Sequence, residues 1–370
     1  MNLRRFFKGG RKPDYFLLAI VFLLVVGGLA ALTSASSDLG ELKFGDSYYY
    51  LKHQLVSGLL FGAIGFLGGY LIPYQKYKKL SFFFLLANML LLVLVFTPFG
   101  VRSGGATRWL SIGPATFQPA EFLKLTFIIY LAAWFANTKT NRAKDVTEGL
   151  LPFLVISGIT AALLLAQPAT STVVILMAAG GVIYFLSGAE WKHMLGIMGI
   201  CALGLAVIIV ATPYRLSRVK GFLNKNSDSQ GTNYHLNQAL IALGSGGVFG
   251  MGFGQSTAKV SHLPEVIDDS IFAVVGQELG FVGAGALVAL FGILVFRMFW
   301  LAKGIRDRFG RLMLIGFGTI IAFQSIVNIG AISGLLPLTG VPLPFVSYGG
   351  TALAVFLTIA GISANISKYS

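Results

Sequence analysis

The stretch Ser261-His262-Leu263-Pro264-Glu265-Val266-Ile267-Asp268-Asp269-Ser270 sets three carboxylates and a histidine immediately before a long apolar run. A carboxylate at such a boundary can act as a general base. An Asp at a helix start also caps free backbone N–H groups, but capping accounts for one Asp and leaves Glu265 and His262 unexplained. Two adjacent carboxyls, Asp268 and Asp269, would titrate as a coupled unit with one proton held above its usual pKa. His262 could ligate a metal, yet the chain has four His and shows no ligand spacing around this one.

Further ionisable residues interrupt apolar segments. Glu121 and Lys124 lie three apart and share a helix face. They either form a neutralised pair that pins helix packing or line a polar cavity, which Gln118 and Pro119 would open at one face. Glu278, beside Gln277, either makes a packing hydrogen bond or marks a second polar site. Arg108, next to an interfacial Trp109, could join Arg215, Arg218, Lys220 and Lys259 in an anion site; singly, each reads as a solvated charge. Chemistry on a pyrophosphate-linked sugar would need such charge on the departing group.

The elements that must position these residues are membrane helices. Of 370 residues, 55% are hydrophobic and 11% charged, against about 25% charged in a soluble domain, which excludes a soluble enzyme. Apolar runs predict ten spans near 15–35, 54–73, 80–98, 118–137, 149–167, 170–187, 192–211, 271–299, 312–335 and 345–366. The fold class is thus an all-α polytopic membrane protein, one integral domain over 1–370. The first apolar run is too long for a signal peptide and reads as a retained helix. With both termini cytoplasmic, the inner segments collect the basic cluster from Arg4 to Lys12 and twelve further Lys and Arg, while the short outer loops hold only Lys43, Lys52, Arg102 and Arg108. Much of the +14 net charge is therefore a topology signal, and nucleic acid is not an expected partner. The single Cys201 excludes an intrachain disulfide.

One connection is long. Residues 212–270 form an outer-face loop expected to be functional, and its part from Asn233 to Phe249 is apolar enough to dock back on the membrane as a short helix or re-entrant piece.

Taken together, the motifs resemble the SEDS proteins (shape, elongation, division and sporulation) over nearly the whole chain. The resemblance is carried by Gly105-Ala106-Thr107-Arg108-Trp109-Leu110, Gln118-Pro119-Ala120-Glu121-Phe122-Leu123-Lys124, Pro213-Tyr214-Arg215 with Arg218-Val219, and Ile241-Ala242-Leu243-Gly244-Ser245-Gly246-Gly247. It continues through Leu263-Pro264-Glu265, Asp269 before Ile271-Phe272, Glu278-Leu279-Gly280, and Asn328-Ile329-Gly330 leading to Gly340-Val341-Pro342-Leu343-Pro344-Phe345-Val346-Ser347-Tyr348-Gly349-Gly350. The last run is the most specific. The motif forms look closer to the division (FtsW-like) branch than to the elongation (RodA-like) branch.

The resemblance implies a peptidoglycan glycosyltransferase that polymerises lipid II on the outer face of the bacterial cytoplasmic membrane. A class B penicillin-binding protein and other divisome proteins would be partners. It puts the family's essential loop aspartate on Asp269, with Asp268 as rival, and makes Arg108, Glu121, Lys124, Arg215, Arg218, Lys259, Glu278 and Ser347 substrate-binding candidates. No cofactor is required by it; a divalent cation, Mg or Mn, could bridge the pyrophosphate, though no ligand motif is present. Three departures stand out: Ser270 where the family has an aromatic, Asp268 where it has Thr, and Ala169 where it has Asp. Two rival classes fit ten spans and intramembrane charges as well: a lipid II flippase or other transporter, and a non-catalytic scaffold. Transport would bring inverted repeats and interrupted helices, and the sequence gives no sign of either.

Overall fold

In a computed structural model, residues 12–103, 106–113, 115–137, 142–223, 233–256 and 264–370 are described. The apolar runs become helices because a bilayer offers no partner for backbone N–H and C=O, and a helix satisfies them internally. Helix α1 (Tyr15–Phe44) starts at Asp14, whose carboxylate accepts from Leu17 N at 2.7 Å, and stops at Gly45, where φ is +65°. A continuous rod follows, made of α2 (Tyr49–His53), a π-helical stretch (Gln54–Leu60) and α3 (Phe61–Leu71). Then come α4 (Gln75–Leu94), α5 (Pro119–Phe135), α6 (Leu151–Ala166, entered through the π turn Val146–Leu150), α7 (Thr170–Leu186), α8 (Trp191–Ala211), α9 (Pro213–Leu223), α10 (Tyr234–Ser245), α11 (Ile271–Gly304), α12 (Arg308–Ile332) and α13 (Gly350–Ser367).

Eight segments are long and apolar enough to cross a membrane by length and composition. The other two expected spans are α5 and α7, each of 17 residues. The all-helical expectation misses one element. Strands β1 (Gly100–Ser103), β2 (Ala106–Ile112) and β3 (Ala115–Phe117) form a small antiparallel sheet between α4 and α5, with Val101 opposite Trp109 and Leu110 opposite Phe117.

Helices α12 and α13 form the centre of the molecule, with about three quarters of their apolar windows buried, whereas only 6% of the α8 window is. The contact of α13 with α3 and the π-helical stretch before it is close because Gly58, Gly62, Gly65 and Gly69 place no side chain between the helices. A Cβ on Gly69 would lie 2.8 Å from Ile362 N. Such small-residue stripes let backbones approach where lipid gives no hydrophobic drive to association.

Two helix boundaries differ from expectation in ways that matter for the site. Helix α13 begins at Gly350 and α12 ends at Ile332, so residues 333–349 are non-helical, and Val341, Leu343, Phe345, Val346 and Ser347 are buried among the helices. Irregular backbone is tolerated at such depth when protein surrounds it. Furthermore, α11 is interrupted at Gly280 (φ +66°, ψ −166°), an interruption the sequence had not suggested. The freed groups are taken by the Gly-rich segment after α10: Met251 N and Gly252 N donate to the carbonyls of Gln277 and Glu278, both at 3.0 Å, while Phe281 N and Val282 N donate to Gly247 and Val248 carbonyls at 2.9 and 3.1 Å. Of the two forms expected for 233–249, a short helix or a re-entrant piece, the segment takes the first as α10, which lies against α11.

The two ends of the bundle differ in charge. At one end Asp14 N donates to Ser367 Oγ, Arg297 pairs with Asp14, Arg308 reaches the Ser187 carbonyl, and Tyr74 N bonds Asn365 Oδ1. This end gathers the basic segments around Lys12, Lys76, Lys303 and Lys368. At the other end lie the sheet, α9, α10, the turn 264–270 and residues 333–349.

Candidate active site

The turn 264–270 enters α11 without the capping that its carboxylates suggested: Ser270 occupies the N-cap position and makes no side-chain cap bond. Instead the turn is gripped from two sides. Asn328 of α12, 1% exposed, uses Nδ2 to donate to the Asp269 carbonyl at 2.8 Å and to the Val341 carbonyl at 2.7 Å. Tyr348 N donates to the Ile267 carbonyl at 2.9 Å. Within the turn, Asp268 N and Ser270 N both reach the Glu265 carbonyl, and Glu265 holds a left-handed φ of +48°. A non-glycine residue in that region persists only where its surroundings over-determine it.

The grip aims Asp269 inward. Its residue is 8% exposed, and Oδ2 faces the backbone of Gly340, where a Cβ would sit 3.7 Å away and φ is +65°. Around it stand Arg218 of α9, which also donates to the Leu338 carbonyl at 2.9 Å; His235 of α10, with Nε2 3.9 Å from Asp269 Oδ1; and Ser270, with Oγ 3.4 Å from the same oxygen. Burial, then the negative charge of Glu265, pushes the Asp269 carboxyl up to about 7, with Arg218 and the Ser270 hydroxyl working against the rise. Asp268 is raised as well, by burial and by Glu265 and Asp269 beside it. His235 is held below the ordinary imidazole value by burial and then by Arg218. A carboxyl poised near neutrality is suited to take a proton and give it up again.

Several other candidates lie elsewhere. Glu121 and Lys124 are a buried pair: Lys124 Nζ sits 2.7 and 2.8 Å from the two Glu121 oxygens and 2.7 Å from Gln324 Oε1. Side-chain exposures of 6% for Glu121 and 1% for Lys124 close this pair off from solvent. Gln324 Nε2 in turn donates to the Pro342 carbonyl at 2.8 Å, so the pair braces the 341–349 segment behind Asp269. Glu278 accepts from Ser34 Oγ of α1 at 2.6 and 2.8 Å and is 3% exposed. It sits nine residues, or roughly 13 Å of helix, beyond Asp269, a packing role beside the Gly280 break. Ser347 Oγ accepts from Leu343 N at 2.8 Å and shapes the buried turn. Arg108 on β2 donates to the carbonyls of Gln167 and Pro168 at 2.9 and 2.6 Å, fastening the sheet to the α6–α7 turn. Arg215 donates to Thr212 Oγ1. Lys259 and His262 lie outside the described residues.

The sequence reading missed His235, the role of Ser270 as a hydrogen-bond partner, and the grip of Asn328. A lone His on an apolar helix carries no spacing signal, and only docking of α10 brings it to the turn. Among the described residues, no group of three or more His, Cys, Asp or Glu side chains is arranged to hold a metal ion, so no residue here is assigned to a divalent cation.

Fold and site together define a polytopic helical membrane protein with a buried carboxyl, Asp269, at one end of the bundle, in a turn backed by irregular buried backbone. Residues 15–370 match the model of the FtsW/RodA/SpoVE family of cell cycle proteins, and the chain belongs to that family, the SEDS proteins. It is 36% identical over 364 residues to stage V sporulation protein E of Bacillus subtilis, covering 97% of this chain and 98% of the relative. It is also 36% identical over 365 residues to a protein of Trichlorobacter lovleyi named as a probable peptidoglycan glycosyltransferase FtsW, covering 96% and 95%. Among solved structures, it resembles a chain of a peptidoglycan synthase complex described as coordinating polymerization and crosslinking (TM-score 0.78, 29% identity, covering 96% of this chain and 97% of that one). It resembles the rod shape determining protein RodA of Thermus thermophilus with a TM-score of 0.70 at 29% identity, covering 97% and 98%.

Proposed function

We propose that this chain is a peptidoglycan glycosyltransferase that polymerises lipid II into glycan strands at the outer face of the cytoplasmic membrane, in cell division. With α5 and α7 counted as spans, this reading takes the basic end of the bundle as cytoplasmic, which the positive-inside rule supports, and the Asp269 turn as outside, where a lipid-linked sugar would present its head. Asp269 takes the proton of the acceptor N-acetylglucosamine 4-hydroxyl as that oxygen attacks the anomeric carbon of the donor N-acetylmuramic acid. The C–O bond to undecaprenyl pyrophosphate breaks with inversion. One carboxylate base suffices because the leaving group is already a good anion, and Arg218, with Arg215 on the same face of α9, supplies positive charge beside it.

The observation that carries this reading is the buried Asp269 carboxyl, raised to about 7 and set against Arg218. The interrupted α11 does not favour the transporter reading. The backbone groups freed at Gly280 are satisfied by residues 247–252, whereas transporters leave such groups facing a substrate cavity. A class B penicillin-binding protein is the partner this reading calls for. The test is polymerisation of labelled lipid II by purified wild type, Asp269→Asn and Asp268→Asn, each with and without that partner. Polymer made by wild type and lost in Asp269→Asn supports the reading; near wild-type polymer from Asp269→Asn would remove Asp269 as the base.

A further inference from the structure

His235 has no part in the reaction as described, yet its Nε2 stands 2.6 Å from Ser270 Oγ and 3.9 Å from Asp269 Oδ1, and Ser270 Oγ is 3.4 Å from that same oxygen. The three side chains thus form a line of imidazole, hydroxyl and carboxyl. Ser270 is fully buried, and the side chains of Asp269 and His235 are 12% and 19% exposed, so the imidazole is the more open end. A buried base has a problem that an exposed one lacks. Once it has taken the acceptor's proton, it must return that proton to water before the next sugar arrives, while the substrate covers its open side.

We propose that His235, acting through the Ser270 hydroxyl, is the proton outlet of Asp269; the proposal rests on the reading of Asp269 as the base. In the resting site His235 Nε2 is unprotonated and accepts from Ser270 Oγ. After the sugar step, the protonated Asp269 gives its proton to Ser270 Oγ while the hydroxyl's own proton passes to His235 Nε2. The Asp O–H and Ser O–H bonds break, and a new Ser O–H and a His N–H form. Asp269 is a carboxylate again, Ser270 is a neutral hydroxyl, the imidazolium loses its Nδ1 proton to water, and exchange with water returns the ring from the Nε2–H to the resting Nδ1–H tautomer. The charged groups facing His235 are Asp269, Glu265 and Arg218. Burial and Arg218 disfavour the imidazolium, with Glu265 opposing them, so the proton does not stay. When Nε2 carries a proton it donates to Ser270 Oγ, and the hydroxyl turns to the Pro264 carbonyl, 3.0 Å away. His235 is a positioning and relay residue, since it acts through Ser270.

The experiment measures steady-state polymerisation of labelled lipid II by the purified full chain, from pH 6 to 9, in low and high concentrations of imidazole buffer. His235→Gln keeps a hydrogen-bonding side chain but cannot titrate, and Ser270→Ala cuts the line. Each is expected to lower kcat roughly 10- to 100-fold with KM within about twofold, the double variant being no slower than the slower single one. High imidazole should restore His235→Gln, which a packing role would not allow. His235→Gln running at the wild-type rate with the wild-type pH profile would overturn the proposal, and so would a slow variant that ignores imidazole. If His235→Gln folds poorly, Ser270→Thr, which keeps the hydroxyl, should outrun Ser270→Ala; equal rates for the two would overturn it. The two readings fail separately. An active Asp269→Asn removes the base and the outlet together, whereas a dead Asp269→Asn beside wild-type rates for His235→Gln and Ser270→Ala removes only the outlet.

Discussion

Glu121 and Lys124 sit deep among the helices with both carboxylate oxygens on the ammonium and Gln324 completing its shell, whereas Glu265, Asp268 and Asp269 crowd three carboxyls into one turn against the guanidinium of Arg218. The first cluster is closed: its charges cancel and its polar atoms bond to one another and, through Gln324, to the Pro342 carbonyl. The second is left in excess of negative charge, and it answers by holding protons. Burial alone therefore does not distinguish the two clusters. What separates the two is whether the partner count satisfies the charge; in the second cluster, burial and the neighbouring carboxylates push Asp268 and Asp269 upward.

The sharpest way to break this comparison is Asp269→Asn. We expect polymerisation to fall by at least about 100-fold, as for a removed general base, while the helix bundle survives. The folded Asp269 binds its proton more tightly than the unfolded one, whose value is 3.8, so its contribution to stability is present below that value and is lost as pH rises toward 7. The amide has no such loss. Melting in detergent at pH 8 should accordingly be no lower for Asp269→Asn than for wild type, and a large drop would show that the carboxylate was structural after all.

At the closed cluster the order of effects reverses. Lys124→Met strands a buried carboxylate and should cost about 3–5 kcal/mol of stability, with activity falling only as folded protein is lost. Exchanging the two charges, Glu121→Lys with Lys124→Glu, should hurt less than Lys124→Met, because the pair is kept. If the exchanged protein were stable but unable to polymerise lipid II, Glu121 and Lys124 would belong to the working site and the contrast between the clusters would collapse.

A smaller effect sharpens the open cluster. The rate should fall about tenfold per pH unit below the Asp269 value near 7, because only the carboxylate accepts a proton. Arg218→Met removes the charge that opposes the rise, so the acid limb of the pH–rate profile should move to higher pH. An unmoved limb would show that Arg218 does not act on Asp269.

The smallest expected effect concerns Ala169, which stands at the N-cap position of α7 with no side-chain cap bond. Ala169→Asp would place a carboxylate where the free N–H groups of Ser171 and Thr172 need an acceptor, worth about 1 kcal/mol. Melting temperature should hold or rise by a few degrees, with lipid II polymerisation undiminished. A clear destabilisation would mean that the site, 7% exposed, tolerates no added charge even at a helix start.

The order of the apolar segments, eight of which among the described residues are long and apolar enough to cross a membrane, and the polar turn before α11 were legible in the sequence because hydrocarbon imposes one demand on every span: apolar side chains over a fixed length, with backbone groups bonded within the helix. That demand is local, so a linear pattern records it. The Glu121–Lys124 spacing was equally visible, but spacing on one helix could not tell a closed pair from a cavity. The decision came from Gln324 of α12, about two hundred positions away in the chain. The break at Gly280, the buried course of residues 341–349, and the meeting of Asp269 with His235, Arg218 and Asn328 are likewise tertiary facts. Each depends on which polar group from a distant helix arrives to satisfy a backbone or side-chain atom that the local chain leaves unpaired, and that arrival has no periodicity for a sequence to display.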